Sequence, residues 1–233
     1  MTDLSIILPL HREGLLLGPT IHSLAEAIAQ ARGGGVQGEL IAVLDRADTL
    51  TEAVLQQALH DTGLPARVLR SDLGDPGQAR NHGIAAAAGD VAAFVDGDDL
   101  VSANWLLAGW KAQRAQPDAI WHSDCNMVFG EERMLWWHVD SEGPLFDPDY
   151  LAWLNYWDAM SMAATAIYRR HPFRSNDLAL GFGHEDWHWN RMTLAAGHAH
   201  RPVPGTMHFK RRRSGSQMAR VAGADGVSWP VGV

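Results

Sequence analysis

Val91-Ala92-Ala93-Phe94-Val95-Asp96-Gly97-Asp98-Asp99 decides the fold class, because an unbroken apolar run ends abruptly in three carboxylates. Val91–Val95 reads as a buried strand. Just upstream, Pro76 to Ala88 reads as a helix, with Pro76 suited to its first turn and Gly89 to its end. The same alternation extends back to the N-terminus. Leu4–Leu8 predicts a strand stopped by Pro9, about Thr20 to Arg32 a helix ended by Gly33-Gly34-Gly35, and Glu39–Leu44 a second strand. Thr51–His60 predicts a helix and Ala66–Leu69 a third strand. Strand–helix alternation of this kind implies an α/β fold with a mostly parallel sheet covered on both faces. Ligands on such sheets sit beyond the carboxyl ends of the strands. Three strand ends carry polar groups there: His11 and Glu13, then Asp45 and Asp48, then the aspartate cluster.

The second half differs. Trp105 to Tyr168 is rich in aromatics, including Trp136-Trp137 and the segment Tyr150–Trp157, and predicts mixed short strands and helices. No linker or internal repeat interrupts the chain. The expected organisation is one domain over residues 1–215 with two functional halves, 1–100 and 101–215. Residues 216–233 form a C-terminal tail, basic before it and rich in Gly, Ser and Ala, expected to be poorly ordered.

Bulk properties narrow the function. With 233 residues, 46% of them hydrophobic and 20% charged, the chain has the composition of a globular protein with one large core. A formal charge of -8 argues against general nucleic-acid binding, which needs basic surface to displace counterions. The single cysteine, Cys125, excludes an intrachain disulfide framework and fits a reducing, cytoplasmic compartment. The N-terminus lacks the pattern of a secretory signal, and the apolar stretch Ile84–Val95, broken by Gly89-Asp90, is too short to cross a bilayer.

Three carboxylates packed into Asp96-Gly97-Asp98-Asp99 repel one another unless a cation or hydrogen bonds compensate. Hard oxygen ligands favour Mg2+ or Mn2+, ions that commonly share their shell with substrate phosphates. The plainer reading is a solvated acidic turn capping the helix after Val101. Asp45 has a plain reading too, as the cap of the next helix.

The wider context carries a resemblance. Gly77-Gln78-Ala79-Arg80-Asn81-His82-Gly83, an Ala-rich helix, Gly89-Asp90 and Phe94-Val95-Asp96-Gly97-Asp98-Asp99 together resemble the family 2 glycosyltransferases. Ile6-Ile7-Leu8-Pro9-Leu10-His11-Arg12-Glu13 looks like their first strand and nucleotide-facing loop. Leu44-Asp45-Arg46-Ala47-Asp48-Thr49 is similar to their second, aspartate-rich loop, although it departs from the usual Asp-Asp-Gly-Ser. Gly181-Phe182-Gly183-His184-Glu185-Asp186-Trp187 resembles their Gly-x-Gly-x-Glu-Asp element. By motif order the likeness spans residues 4 to 216.

The resemblance implies a GT-A fold and an inverting transfer of one sugar from a nucleotide diphosphate, UDP by preference, to a hydroxyl. The acceptor would be a glycan, a lipid-linked molecule or another glycoconjugate. Asp45 would bond the nucleobase, with Pro9, His11 and Glu13 lining that pocket, and Arg80 would lie near the ribose and diphosphate. Asp96 would meet ribose or metal, Asp98 would hold Mn2+ or Mg2+, and His208 would be a further ligand. Asp186 would be the general base and Glu185 would orient the acceptor. A carboxylate within reach of the acceptor hydroxyl can take its proton as it attacks, and a cation can neutralise the departing diphosphate. Lys210–Arg213 would close over that diphosphate. Gln217-Met218-Ala219-Arg220-Val221 faintly resembles the Gln-x-x-Arg-Trp element of processive synthases, but the tryptophan is replaced, which favours single addition. Trp136-Trp137 and Trp153/Trp157 are expected mainly in the core, with peripheral membrane contact as the alternative.

One motif competes. His184-Glu185-Asp186-Trp187-His188 satisfies H-E-x-x-H, the zinc-peptidase pattern, in which two histidines share a helix face and Glu185 is the base. That reading explains nothing in residues 4–99. A non-catalytic nucleotide-sugar-binding module is the second alternative.

Overall fold

The computed structural model describes residues 2–213, 221 and 223–231. Four strands, β1 (Leu4–Leu10), β2 (Gly38–Asp45), β3 (Ala66–Ser71) and β4 (Val91–Phe94), pair in parallel in the order β3-β2-β1-β4. The sheet continues through β5 (Leu100–Val101), β6 (Ile120–Gly130), β7 (Met134–Trp137), β8 (Ser161–Ala164) and β10 (His200–Arg212). Beyond β4 the order is β8-β6-β10-β5, with β7 paired to β6. This half is mixed. β8 runs antiparallel to β4 and β6, and β10 runs parallel to β6.

The helices are α1 (Leu17–Gly33), α2 (Thr49–Thr62), α3 (Pro76–Ala86), α4 (Trp105–Ala115), α5 (Thr165–Arg170) and α6 (Glu185–Ala195). Side chains alternate across β1. Leu4, Ile6 and Leu8 pack with Leu17, Ile21 and Leu24 of α1 on one face. Ile7 packs with Ala79 and Ile84 of α3, Ile167 of α5 and Trp189 of α6 on the other. Both faces are therefore covered, as a parallel sheet requires. None of the helices among the described residues is long and apolar enough to cross a membrane.

β1 runs through Pro9 instead of stopping there. Ile7 O accepts from Val95 N at 3.1 Å, so odd residues of β1 face β4. The β4 ladder ends at Ile7↔Phe94, and the missing N–H of Pro9 falls where no neighbour needs it. Gly89 is required by close approach. A Cβ there would sit 2.8 Å from Ser5 N and 2.9 Å from the Leu4 carbonyl carbon, and neither backbone atom can move aside. Gly89→Ala is expected to cost about 1–3 kcal/mol, read as a lower urea midpoint at unchanged m-value.

The C-terminal stretch also packs. β11 (Val227–Ser228) pairs in parallel with β9 (Phe182–Gly183), and Trp229 stacks on Phe182 with centroids 3.8 Å apart. Residues 223–231 are thus joined to the second half of the chain rather than trailing from it. Gln217, Met218, Ala219 and Arg220 of the synthase-like element lie outside the described residues.

Candidate active site

The carboxyl ends of β1, β2 and β4 open onto one cavity of about 870 Å3. Pro9, His11, Glu13, Asp45, Arg80, Asp96, Asp98, Glu185 and Asp186 all line it, so nine of the ten sequence-predicted site residues meet there. His11 Nδ1 lies 2.7 Å from the Asp45 carbonyl, and its N–H donates to Glu13 at 2.7 Å. Burial is the largest influence on Glu13 and pushes its pKa up to about 7. The Asp45 carboxylate accepts from Ser71 Oγ (2.9 Å) and from the N–H groups of Leu73 and Gly74 (2.7 Å each). It thereby shapes the 71–74 loop at the cavity rim. The cap of α2 is Asp48, which accepts from Thr51 N at 2.8 Å. The acidic turn does not cap the next helix either: α4 has Asn104 at that position, without a side-chain cap bond.

Arg80 ties the two halves together. Its side chain is buried on α3, donating from Nη1 to Glu185 Oε1 at 2.9 Å and from Nη2 to Asp96 Oδ1 at 2.8 Å. Its neighbour Asn81 pins Phe173 through both backbone groups, at 2.8 and 2.9 Å. Glu185 is occupied on its other oxygen by Asn176 Nδ2 at 2.9 Å, and Asn176 also bonds Asp75. Glu185 is therefore held as a strut between α3 and α6. Asp186, next to it, is freer: among the described residues its one side-chain bond is to Trp187 N at 2.8 Å. Burial, then the neighbouring Glu185 charge, pushes the Asp186 pKa up to about 7, against the opposing pull of Arg80. A carboxylate poised there suits proton abstraction near neutral pH.

A second charge cluster was not legible beforehand. Lys210 Nζ on β10 lies 3.1 Å from Asp99 Oδ2, 3.2 Å from Asp158 Oδ2 and 3.5 Å from Asp96 Oδ2. Asp158 also accepts from Asn126 Nδ2 at 2.8 Å, and Lys210, although burial works the other way, holds its carboxyl far below the ordinary range. Arg213 Nε bonds Asp98 Oδ2 at 2.7 Å, and Arg211 N–H donates to Asp99 Oδ1 at 2.6 Å.

His208 stands apart from the cavity. It lies two residues before Lys210 on the same face of β10, fully buried, with its ring edge-on to Trp105 at 4.7 Å. Burial pushes its pKa down to about 3, and neither ring nitrogen has a hydrogen-bond partner among the described residues. The zinc-peptidase motif does not assemble. His184 adopts left-handed φ 57° outside α6, which begins at Glu185, so the two histidines do not share a helix face. Glu185 is already committed to Arg80 and Asn176. Of the aromatics, Trp157 is core, whereas Trp137 and Trp153 are exposed. Met134, Leu135, Trp137 and Leu154 form an apolar wall of the cavity.

The family model for glycosyl transferase family 2 matches residues 5–176. No curated protein matches the sequence. Among solved structures, residues 1–349 of S. aureus TarS in complex with UDP-GlcNAc superpose with a TM-score of 0.65 at 18% identity, covering 94% of this chain and 61% of that one. The same fragment in complex with UDP gives 0.62 at 17%, covering 96% and 64%. S. aureus TarS in a structure not limited to that fragment gives 0.62 at 17%, covering 94% and 38%. The chain thus spans less than two thirds of each of these TarS chains. At such identities the superpositions establish the GT-A architecture. With the family model matching most of its length and that architecture beneath it, the chain belongs to glycosyl transferase family 2.

Proposed function

We propose that the chain moves one sugar from a UDP-sugar to an acceptor hydroxyl with inversion at the anomeric carbon, in glycan, glycolipid or other glycoconjugate synthesis. One observation carries this reading: Asp186, the carboxylate of raised pKa, shares a cavity with Asp96 and is registered to it through Glu185 and Arg80. The acceptor oxygen forms a bond to the anomeric carbon, its proton passes to Asp186, and the sugar–diphosphate C–O bond breaks with its electron pair on the diphosphate. A single base and a direct displacement invert the centre. The donor nucleotide lies along Pro9, His11, Glu13 and the Asp45-held loop; the TarS complexes with UDP and UDP-GlcNAc favour uridine. The acceptor enters against Met134, Leu135, Trp137 and Leu154. A lipid-linked acceptor met by a cytoplasmic enzyme at the membrane surface is compatible with that wall, as is a soluble glycan.

The Mn2+ or Mg2+ expected at Asp98, Asp96 and His208 does not fit the residues as they stand. Asp98 is bonded by Arg213, Asp96 by Arg80 and Lys210, and His208 is packed on Trp105 and does not line the cavity. No group of three or more His, Cys, Asp and Glu among the described residues is arranged to hold a metal ion. No step above passes through a metal.

A thermal-shift screen of nucleoside diphosphate sugars tests the reading. A UDP-sugar at a hundredfold excess over its Kd is expected to add about 2.7 kcal/mol of stability, a shift of several degrees. A panel in which no donor shifts the melting temperature, with or without divalent cations, would remove nucleotide-sugar transfer.

A further inference from the structure

The side chains that compensate the acidic rim are themselves cations aimed into the donor cavity. Three carboxylates from two separate segments, Asp96 and Asp99 after β4 and Asp158 before β8, converge on the single ammonium of Lys210. Lys210 is 7% exposed, so these contacts are made largely out of water, where ionic interactions are strong and an unmatched charge is costly. Asp98, the carboxylate best placed to offer oxygens to a divalent ion, faces the Arg213 guanidinium at 2.7 Å, and its backbone carbonyl accepts from Arg211 Nε at 3.2 Å. A divalent ion taking Oδ2 of Asp98 must displace Arg213, and one taking Oδ1 or Oδ2 of Asp96 must displace Arg80 or Lys210. Arg211, Arg212 and Arg213 line the same cavity. Guanidinium groups offer the paired N–H donors that match phosphate oxygens, and they stay charged at every working pH.

We propose that the Lys210–Arg213 strip of β10 takes the place of a divalent cation in this enzyme, with Lys210 as the fixed counter-ion of the acidic rim and Arg213 as the group that turns to the donor diphosphate. This rests on the nucleotide-sugar reading above. The negative charge that accumulates as the sugar–diphosphate bond breaks is met by the guanidinium at Arg213, and Asp98 holds that side chain at the cavity until the diphosphate arrives. The ligand class is a nucleoside diphosphate bound through its phosphates without metal.

The experiment uses the full chain, stripped of metals, and measures binding of UDP, GDP, CDP and TDP by calorimetry in EDTA and in excess Mn2+. One of them is expected to bind with Kd values within about threefold of each other in the two buffers. Arg213→Gln is expected to weaken that binding about tenfold or more in EDTA and, by freeing Asp98, to recover part of it in Mn2+. Lys210→Met leaves three carboxylates without their counter-ion and is expected to fold poorly; Lys210→Arg keeps the charge and is expected to retain metal-free binding. Binding by the wild type that vanishes in EDTA and returns with Mn2+ would overturn the proposal while leaving the nucleotide-sugar reading intact. Arg213→Gln binding as tightly as the wild type in EDTA would also overturn it. If none of the four nucleotides binds in either buffer, the donor reading itself fails, and this proposal falls with it.

Discussion

Asp186→Asn is expected to lower kcat for sugar transfer by about 10²–10⁴-fold while leaving donor binding within a few-fold of wild type. The substitution keeps the size of the side chain and its bond to Trp187 N, and removes only the capacity to accept the acceptor proton. Burial and Glu185 set the pKa of this carboxyl at about 7, so wild-type kcat/KM is expected to rise with pH and level off above about 7. The residual activity of the variant should lack that acid limb. Stability should move the opposite way. In the folded chain the Asp186 pKa lies well above the ordinary aspartate value of about 3.9, so ionisation of the group opposes folding, fully above about pH 7. The penalty fades as pH falls toward 4, because both states are then protonated. Asp186→Asn should accordingly melt higher than wild type at pH 8 and equally near pH 4, measured by calorimetry in one buffer series. Equal transfer rates for the two proteins would strip Asp186 of the base role.

Arg80→Met is expected to have the largest effect on folding, about 3–5 kcal/mol by urea denaturation. The change strands Glu185 and Asp96, two carboxylates that share one buried guanidinium. Arg80→Lys should recover little, since a single ammonium cannot donate in parallel to both oxygens from that position on α3. A second readout separates electrostatics from simple loss of packing. Arg80 holds the Asp186 pKa down, so the variant's pH–rate profile, if it folds in the cold, should shift its acid limb upward. An unchanged limb would show that the two groups are not coupled through the interior.

The ion pairs behind the Arg80 prediction and the Lys210 cluster both join residues far apart in the chain. Arg80 and Glu185 are 105 positions apart, and Lys210 and Asp96 are 114 apart. The parallel half was legible because its signals are local. Apolar runs mark β1, β2 and β4, Pro76 marks a helix start, and polar residues follow each strand at the same end. The second half was not, because its central strands break the apolar pattern. β6 and β10 bury His122, Ser123, Asn126, His200, Thr206 and His208, and such residues read as loop when no partner is in view. Asp158 carries no motif at all; it becomes part of the site only where β8 enters between β4 and β6 and Lys210 reaches it from β10.

The sequence by itself therefore determined the α/β class, the strand ends around which the candidate site is built and the acidic character of those ends, because period and strand-end polarity act over a few residues. Only the tertiary structure decided which cation answers which carboxylate. Burial and a few ångströms of separation govern those energies, and both arise when β10 is laid beside β6, bringing Lys210 and Arg213 to the rim and sealing His208 against Trp105.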